Sequence, residues 1–467
     1  MIRFRPLTLH AKAAIERYTM HAETTDCDLA FANMFCWQPV YRSAWAEVDG
    51  FLVIRFHIDG SERIGYMQPV GEGDFTRLIP LLRADAEAHG QRLRILGLPP
   101  RGCELLRAVP TARFAFESDP AWADYLYAAD DLRHLPGRRY QPKRNHINRF
   151  TTEHPDYRYE PLTPDRFDEC MRLERAWRQT HEGHTSHLCA EQQAMQRGFA
   201  HFDELGLQGG CIYVGDRLVA FTYGSAVNEH TFDTHFEKAD ATCDGAFAVI
   251  NKLFAEHLPE RFTCINREED LGLEGLRRAK RSYHPVAIAP KHRAVLLDAD
   301  ETACKELWTE AFGDDETFVD SFLLHHYRRE QMLTAECDGR TAAMLHLLPF
   351  RSELGRTTYI YGVATAAACR NRGLAGQLMR EAMRRIDEQG DNAAILIPSP
   401  EKDWLRGFYK KFGFAGAVPV TFRSADGFDF GTGTPEQDRA MVWRRNASTE
   451  LPETLECCCE EKRAALR

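Results

Sequence analysis

No stretch of this chain approaches the roughly 18 consecutive apolar residues that a membrane-crossing helix requires. The N-terminus also lacks a charged-then-apolar leader pattern, so the sequence predicts a cytoplasmic location without a membrane span. No Cys-x-x-Cys occurs, and the fourteen cysteines stand singly except for Cys457, Cys458 and Cys459. That spacing gives no zinc ribbon and no disulfide framework. Cys211, Cys264 and Cys337 fall in strand-like runs and read as small buried hydrophobes. Positive charge is in short supply: 59 Lys and Arg face 69 Asp and Glu, a net charge of -10. A surface that coats nucleic acid along its whole length is therefore excluded, although a local basic strip is not.

What is present is length and repetition. A chain of 467 residues exceeds one ordinary core and predicts two to four domains at about 150 residues each. Three hairpins share one layout, a strand, a Gly/Asp turn and a second strand: Phe51 to Ile58 with Arg63 to Met67, Gly210 to Val214 with Leu218 to Ser225, and Met332 to Cys337 with Thr341 to Leu348. Each hairpin is followed by a helix, a strand and a helix: in the first copy helix 74 to 88 and strand Leu93 to Leu98, in the second helix 245 to 257 and strand Phe262 to Ile265. The expected division is 1–130, 131–295 and 296–445, followed by a flexible, Glu-rich tail at 446–467.

The third copy carries a feature the others lack. Arg370-Asn-Arg-Gly-Leu-Ala375 follows an apolar strand (Tyr359 to Val363) and opens a helix in which Leu374, Leu378, Met379, Ala382, Met383 and Ile386 recur at helical spacing. Gly373 lets backbone approach a ligand, first-turn N–H groups point outward, and Arg370 and Arg372 add charge where the helix dipole is already positive. A diphosphate suits that position. The equivalent stretches read Asp240-Ala-Thr-Cys-Asp-Gly245 and Gly71-Glu-Gly-Asp74, acidic and without a base, so Coulomb repulsion there opposes a phosphate.

The Arg/Gln-x-x-Gly-x-Gly/Ala pattern, followed by Tyr409-Lys-Lys-Phe-Gly-Phe414, resembles the GCN5-related N-acetyltransferases (GNAT) over about residues 296 to 420. The resemblance implies an α/β fold of three such acyl-CoA N-acyltransferase-like units, with mixed central sheets flanked by helices. It implies that Arg370, Arg372, Gly373, Leu374, Ala375 and Gly376 bind acetyl-CoA as acyl donor, that a backbone amide near Val363 polarises the thioester carbonyl, and that Tyr409 protonates the leaving thiolate. His346 and Glu401 are candidates for a general base.

Residues 138 to 149 hold five Lys or Arg in twelve, and Ile265 to Gly272 run into Leu276-Arg-Arg-Ala-Lys-Arg-Ser-Tyr-His-Pro285. Over about residues 1 to 295 these stretches resemble the C-terminal catalytic region of phosphatidylglycerol lysyltransferases and the bacterial proteins grouped with them. That resemblance implies aminoacyl-tRNA as donor, with Lys143, Asn148, Arg149, Asn266, Arg267, Asp270, Arg277 and Lys280 contacting substrate or tRNA. Asn266, Arg267 and Asp270 also stand at a strand end, where sites of open sheets gather. His181, Glu182, His184 and His187 do not fit a zinc-protease helix, since Gly183 makes the segment a loop. No metal is assigned, and Trp177 and His181 are read as recognition candidates.

Three readings follow: acetyl-CoA-dependent transfer to a small-molecule or peptide amine by the C-terminal copy, with the N-terminal tandem as substrate-binding or second transferase module; aminoacyl transfer from tRNA by residues 1–295; and a non-catalytic protein that senses acyl-CoA. The sequence names neither the acceptor nor the oligomeric state.

Overall fold

In the computed structural model, residues 2–179, 185–434 and 436–459 are described, with backbone alone at 185–188. They divide into two compact units, residues 1–296 and 297–467. The N-terminal unit holds two mixed sheets and the C-terminal unit one, which gives the α/β class with helices against mixed sheets.

The three hairpins lie where alternation and turn residues put them, as strands Phe51–His57 and Ile64–Met67, Gln208–Val214 and Arg217–Ala226, and Met332–Cys337 and Arg340–Ser352. In each copy the chain then enters a helix, Phe75–Ala88, Ala246–His257 or Leu374–Glu388. It returns as a strand parallel to one before the helix: Arg94–Leu98, Cys264–Asn266 and Ala393–Leu396 pair with Ile64–Met67, Thr231–Ala239 and Gly355–Thr365. Pairing before and after a helix in this sense is the βαβ unit.

Two strands cross the expected boundaries. Asp124–Ala128 lies in the second sheet, paired antiparallel with Cys264–Asn266, although it precedes residue 130. His292–Leu296 lies in the first sheet, between Arg94–Leu98 and Phe114–Ser118. One apolar cluster then runs between both sheets, joining Trp45, Leu52 and Ile54 of the first to Phe221, Tyr223 and Phe236 of the second, with Phe35 of helix Phe31–Cys36 and Phe199 of helix Thr185–Ala200 in the same cluster. Residues 1–296 thus share a core rather than forming two separable copies.

The expected flexible tail is corrected in part. Leu455–Cys459 is a strand, parallel to Ala415–Arg423 and touching the far end of Arg340–Ser352. Leu455 and Cys457 are fully buried, while Cys458 is exposed. Inward Leu and Cys alternate with outward residues at a period of two, a pattern that the surrounding Glu residues mask in the sequence. Leu455→Ala is expected to cost about 2–5 kcal/mol, read as a lower urea midpoint, whereas a free tail would give no change.

Candidate functional site

The decisive local geometry is the point at which each parallel pair stops. In the C-terminal unit Thr357, Thr358 and Tyr359 pair with Ala393, Ala394 and Ile395, and Gly355–Thr365 then continues six residues without that neighbour. On its other edge the same strand carries a bulge, where Gly362 and Val363 together face Leu345. Backbone groups of the bulged segment therefore face a gap, and Val363 lies half-buried beside it.

The helix start near this gap is open. Gly373, at φ +81°, caps helix Leu374–Glu388 without a side-chain hydrogen bond, and a Cβ placed on it would meet nothing within 4 Å. The first-turn N–H groups of Leu374, Ala375 and Gly376 lack intrahelical partners by the geometry of any helix start. Arg370 and Arg372 are exposed, and Arg372 Nη1 lies 2.9 Å from Cys337 Sγ and 3.5 Å from Asp338 Oδ2. Tyr409, on helix Trp404–Lys410, is buried, and that burial pushes its phenol ionisation up, so it holds its proton. His346 is wholly buried among Trp308, Phe322, Tyr327 and Tyr361, and burial pushes its pKa down to about 3. An imidazole that weak cannot take a proton from an ammonium acceptor, so His346 is a core residue. Glu401 is an exposed residue ahead of helix Trp404–Lys410.

The other two helix starts are closed. Gly245, at φ +87°, precedes Ala246–His257, but a Cβ there would meet the His146 carbonyl oxygen at 2.6 Å, because helix Gln141–Glu153 covers the position. Asp244 is bound by Arg149, with His146 Nδ1 at 3.4 Å. At Phe75–Ala88 the Asp74 carboxylate accepts from Thr76 N at 2.8 Å and fills the cap itself. Acids in the sequence announced these closures; the covering helix did not show there.

The second sheet repeats the splay with different contents. Thr231, Phe232 and Asp233 pair with Cys264, Ile265 and Asn266, after which Thr231–Ala239 continues alone on that edge. His235 is the extra residue of a bulge opposite Tyr223 and Gly224. It lies two residues past the last pair, close to where Gly362 and Val363 lie past Tyr359. Six predicted residues converge on the loop after Cys264–Asn266. Asn266 donates to the Thr25 carbonyl at 2.7 Å and to Asp124 at 2.8 Å. Arg267 pairs with Glu237 at 2.7 Å, and Lys143 stacks its ammonium 3.8 Å over Tyr283, whose ring also faces Arg267. Asp270 is clamped by Arg277 at 2.7 and 3.2 Å and by the Tyr125 hydroxyl at 2.8 Å. Lys280 donates to the carbonyls of Arg267 and Glu269, so it staples the loop. Asn148 and Arg149 stand apart on the covering helix. Trp177 packs under Lys238, 3.7 Å from its ammonium, and His181 lies outside the described residues.

Sequence reasoning missed the centre of this site. Lys291, just ahead of His292–Leu296, reaches Asp26 at 3.0 Å, Asp28 at 3.1 Å, Asp124 at 2.9 Å and Glu269 at 2.9 Å. Beside it Asp233, His235 and Glu268 form a second group, with His235 Nδ1 at 3.0 Å from Asp233 and 3.6 Å from Glu268. Six carboxyl groups thus face Lys291 and His235. Burial pushes Asp26 up to about 8, Glu268 to about 8 and Glu269 to about 7. For His235, burial alone would lower the pKa, but Asp233 and Glu268 outweigh it and push it up to about 9.

These shifts share one sign. A carboxyl whose folded pKa is raised binds a proton in the folded protein at pH values where the unfolded chain has lost it, so its stabilisation falls as pH rises from about 4 towards 8. His235, raised above about 6.5, contributes stability that is present below that value and lost as pH passes about 9. Thermal midpoints of the full chain are expected to decline between about pH 5 and 9. A flat or rising profile over that range would contradict the arrangement.

Residues 20–295 match the family model described as phosphatidylglycerol lysyltransferase, C-terminal, and residues 295–417 match that described as acetyltransferase (GNAT) domain. A crystal structure of a conserved protein of unknown function from Bacteroides thetaiotaomicron is 42% identical, with a TM-score of 0.61 over 64% of this chain and 100% of that one. L-PGS from Bacillus licheniformis is 14% identical at a TM-score of 0.45, covering 61% and 90%. The GNAT family N-acetyltransferase YhbS from Escherichia coli, crystallised with CoA, is 18% identical at 0.25, covering 34% and 85%. No curated protein matches the chain. No helix among the described residues is long and apolar enough to cross a membrane. The chain is an acyltransferase-type protein, and with its first 295 residues matched almost throughout it belongs to the phosphatidylglycerol lysyltransferase C-terminal family, continued by an acetyltransferase (GNAT) domain.

Proposed function

We propose that the C-terminal unit transfers an acetyl group from acetyl-CoA to an amine in the cytoplasm. The observation that carries this reading is the contrast among three helix starts of one layout: that of Leu374–Glu388 is open and flanked by arginines, and the other two are filled. When bound, the donor supplies an activated thioester. Leu374, Ala375 and Gly376 offer N–H groups to its diphosphate, with Arg370 and Arg372 adding charge. An amide of the bulged strand at Val363 faces the gap, where a carbonyl oxygen gaining charge would accept from it. Tyr409, kept protonated by burial, returns a proton to the leaving sulfur. The domain division at 296 and the roles of 1–130 and 131–295 as one substrate module belong to this reading.

A second reading, aminoacyl transfer by residues 1–296, is favoured by one observation. The carboxylate-rich mouth of the second sheet offsets a positive charge, which an aminoacyl group carries on its α-nitrogen. Lys143, half-buried with its ammonium over Tyr283, is the cation that an aminoacyl-tRNA phosphate would meet in this reading.

Isothermal titration of the full chain with acetyl-CoA tests the first reading. Gly373→Glu places a carboxylate at the open start and is expected to abolish binding, and Arg370→Ala to weaken it about tenfold, close to 1.4 kcal/mol. Unchanged affinity in both variants, or no binding by the parent, sinks it. Release of free CoA with a panel of amines separates a catalyst from a sensor.

A further inference from the structure

The second reading uses the carboxylates of one group in the N-terminal unit for their charge alone, and gives no part to the serine beside them. Ser225 Oγ lies 2.8 Å from His235 Nε2, and His235 Nδ1 lies 3.0 Å from Asp233 Oδ2. Nε2 faces the hydroxyl and Nδ1 the carboxylate, the order of atoms that a proton relay uses. Ser225 and Asp233 face each other on adjacent antiparallel strands, so the backbone fixes two of the three positions, and the bulge at His235 turns its ring between them. All three are buried, and the Asp233 oxygens and His235 Nδ1 have no aligned hydrogen bond, so the fold leaves these polar atoms unsatisfied. Glu268, held at φ +56°, forms the solvent side of the group.

We propose that Ser225 is a nucleophile that accepts an acyl group from an ester, with His235 carrying its proton and Asp233 as the positioning residue for the ring. The donor class is an amino-acid ester, which rests on the second reading above. In the step, Ser225 Oγ bonds to the ester carbonyl carbon while its proton passes to His235 Nε2. The ester C–O bond then breaks, and the departing alcohol oxygen takes the proton from His235. An acceptor nucleophile reverses the sequence, giving its proton to His235 and restoring the Ser225 hydroxyl. No oxidant or metal enters the balance.

The location is supported by the internal repeat. His235 occupies the bulge of the splayed strand in the second sheet, as Gly362 and Val363 do in the third, so the relay stands where the layout places the acyl carbon of the other centre. The charge setting governs when the relay acts. The groups facing His235 are Asp233 on its own strand, Glu268 on the loop, Ser225 on the neighbouring strand and the Cys27 thiol near both carboxylates, with Lys291 and Asp124 behind Asp233. The field of Asp233 and Glu268 pushes the imidazole up to about 9, so it is protonated at neutral pH, and a protonated ring cannot take the serine proton. An ammonium group beside Glu268 offsets that field and releases the base.

The test uses the full chain and a fluorophosphonate, which reacts when serine oxygen bonds to phosphorus and fluoride leaves. Tandem mass spectrometry is expected to find the adduct on Ser225, rising at least tenfold between pH 7 and pH 9.5, and absent from protein unfolded in urea. Ser225→Ala should lose it, and His235→Gln should reduce it at least tenfold. Asp233→Asn should move the midpoint of the pH profile below 9, which loss of a merely structural contact would not do. No adduct on Ser225 of the folded parent anywhere in that range overturns the proposal, as does labelling indifferent to His235→Gln or to pH. Where a variant fails to unfold cooperatively, the parent's own pH profile decides. Acid-quenched intact mass after incubation with alanine methyl ester tests the donor class: an alanyl adduct on Ser225 supports it. Fluorophosphonate labelling without any alanyl adduct overturns the amino-acid ester as donor to Ser225 while leaving Ser225 an activated serine and the second reading, which needs no acyl-serine, standing.

Discussion

A parallel strand pair that stops pairing while one strand runs on leaves backbone N–H and C=O groups facing a gap. Buried groups of this kind are costly unless something answers them. Both splayed sheets of this protein are organised around that constraint. In the C-terminal unit a helix start without a side-chain cap follows the strand that runs on. In the N-terminal unit the corresponding gap is filled with side chains that carry charge. One backbone arrangement thus presents two chemistries, decided by what alternate residues of Gly355–Thr365 and Thr231–Ala239 place at its edge.

The crowded mouth of the second sheet shows how this filling is stabilised. Lys291 sits among four carboxylates, the position that a free cation would otherwise take, and it arrives there only because His292–Leu296 returns to the first sheet. Arg267 with Glu237 and Arg277 with Asp270 hold the loop from the other side. Residues that a sequence reading assigns to substrate contact therefore divide in two. Asn266, Asp270, Arg277 and Lys280 are spent on loop shape, whereas Lys143 packs its ammonium over Tyr283 and Asn148 and Arg149 stand apart on helix Gln141–Glu153.

The legible parts of the molecule were the local ones. Asp338-Gly339 and Gly215-Asp216 between alternating apolar runs are hairpin signals in their own right, and the helical stripe after Gly373 needs no distant partner. The closed cap at Asp74 was legible for the same reason, since the acid and the amide it caps are two residues apart. What escaped reading was long-range. Asp26, Asp124, Glu269 and Lys291 are separated by up to 265 positions, and no local spacing relates them to one another. The cover over Gly245 comes from a helix a hundred residues earlier, and the strand at Leu455–Cys459 is apolar at only alternate positions amid glutamates. His346 looked like a base because its type suits the task, while its aromatic surroundings depend on packing.

The return of His292–Leu296 into the first sheet has a consequence for how the chain comes to be folded. During synthesis the first sheet stays incomplete, with Arg94–Leu98 and Phe114–Ser118 unjoined, until residue 296 has left the ribosome. Nearly two hundred residues separate the strands that must meet, and closing so long a loop is slow. The apolar edges of Arg94–Leu98 and Phe114–Ser118 are exposed throughout that interval, which makes this stage the one at which a chaperone has most to protect.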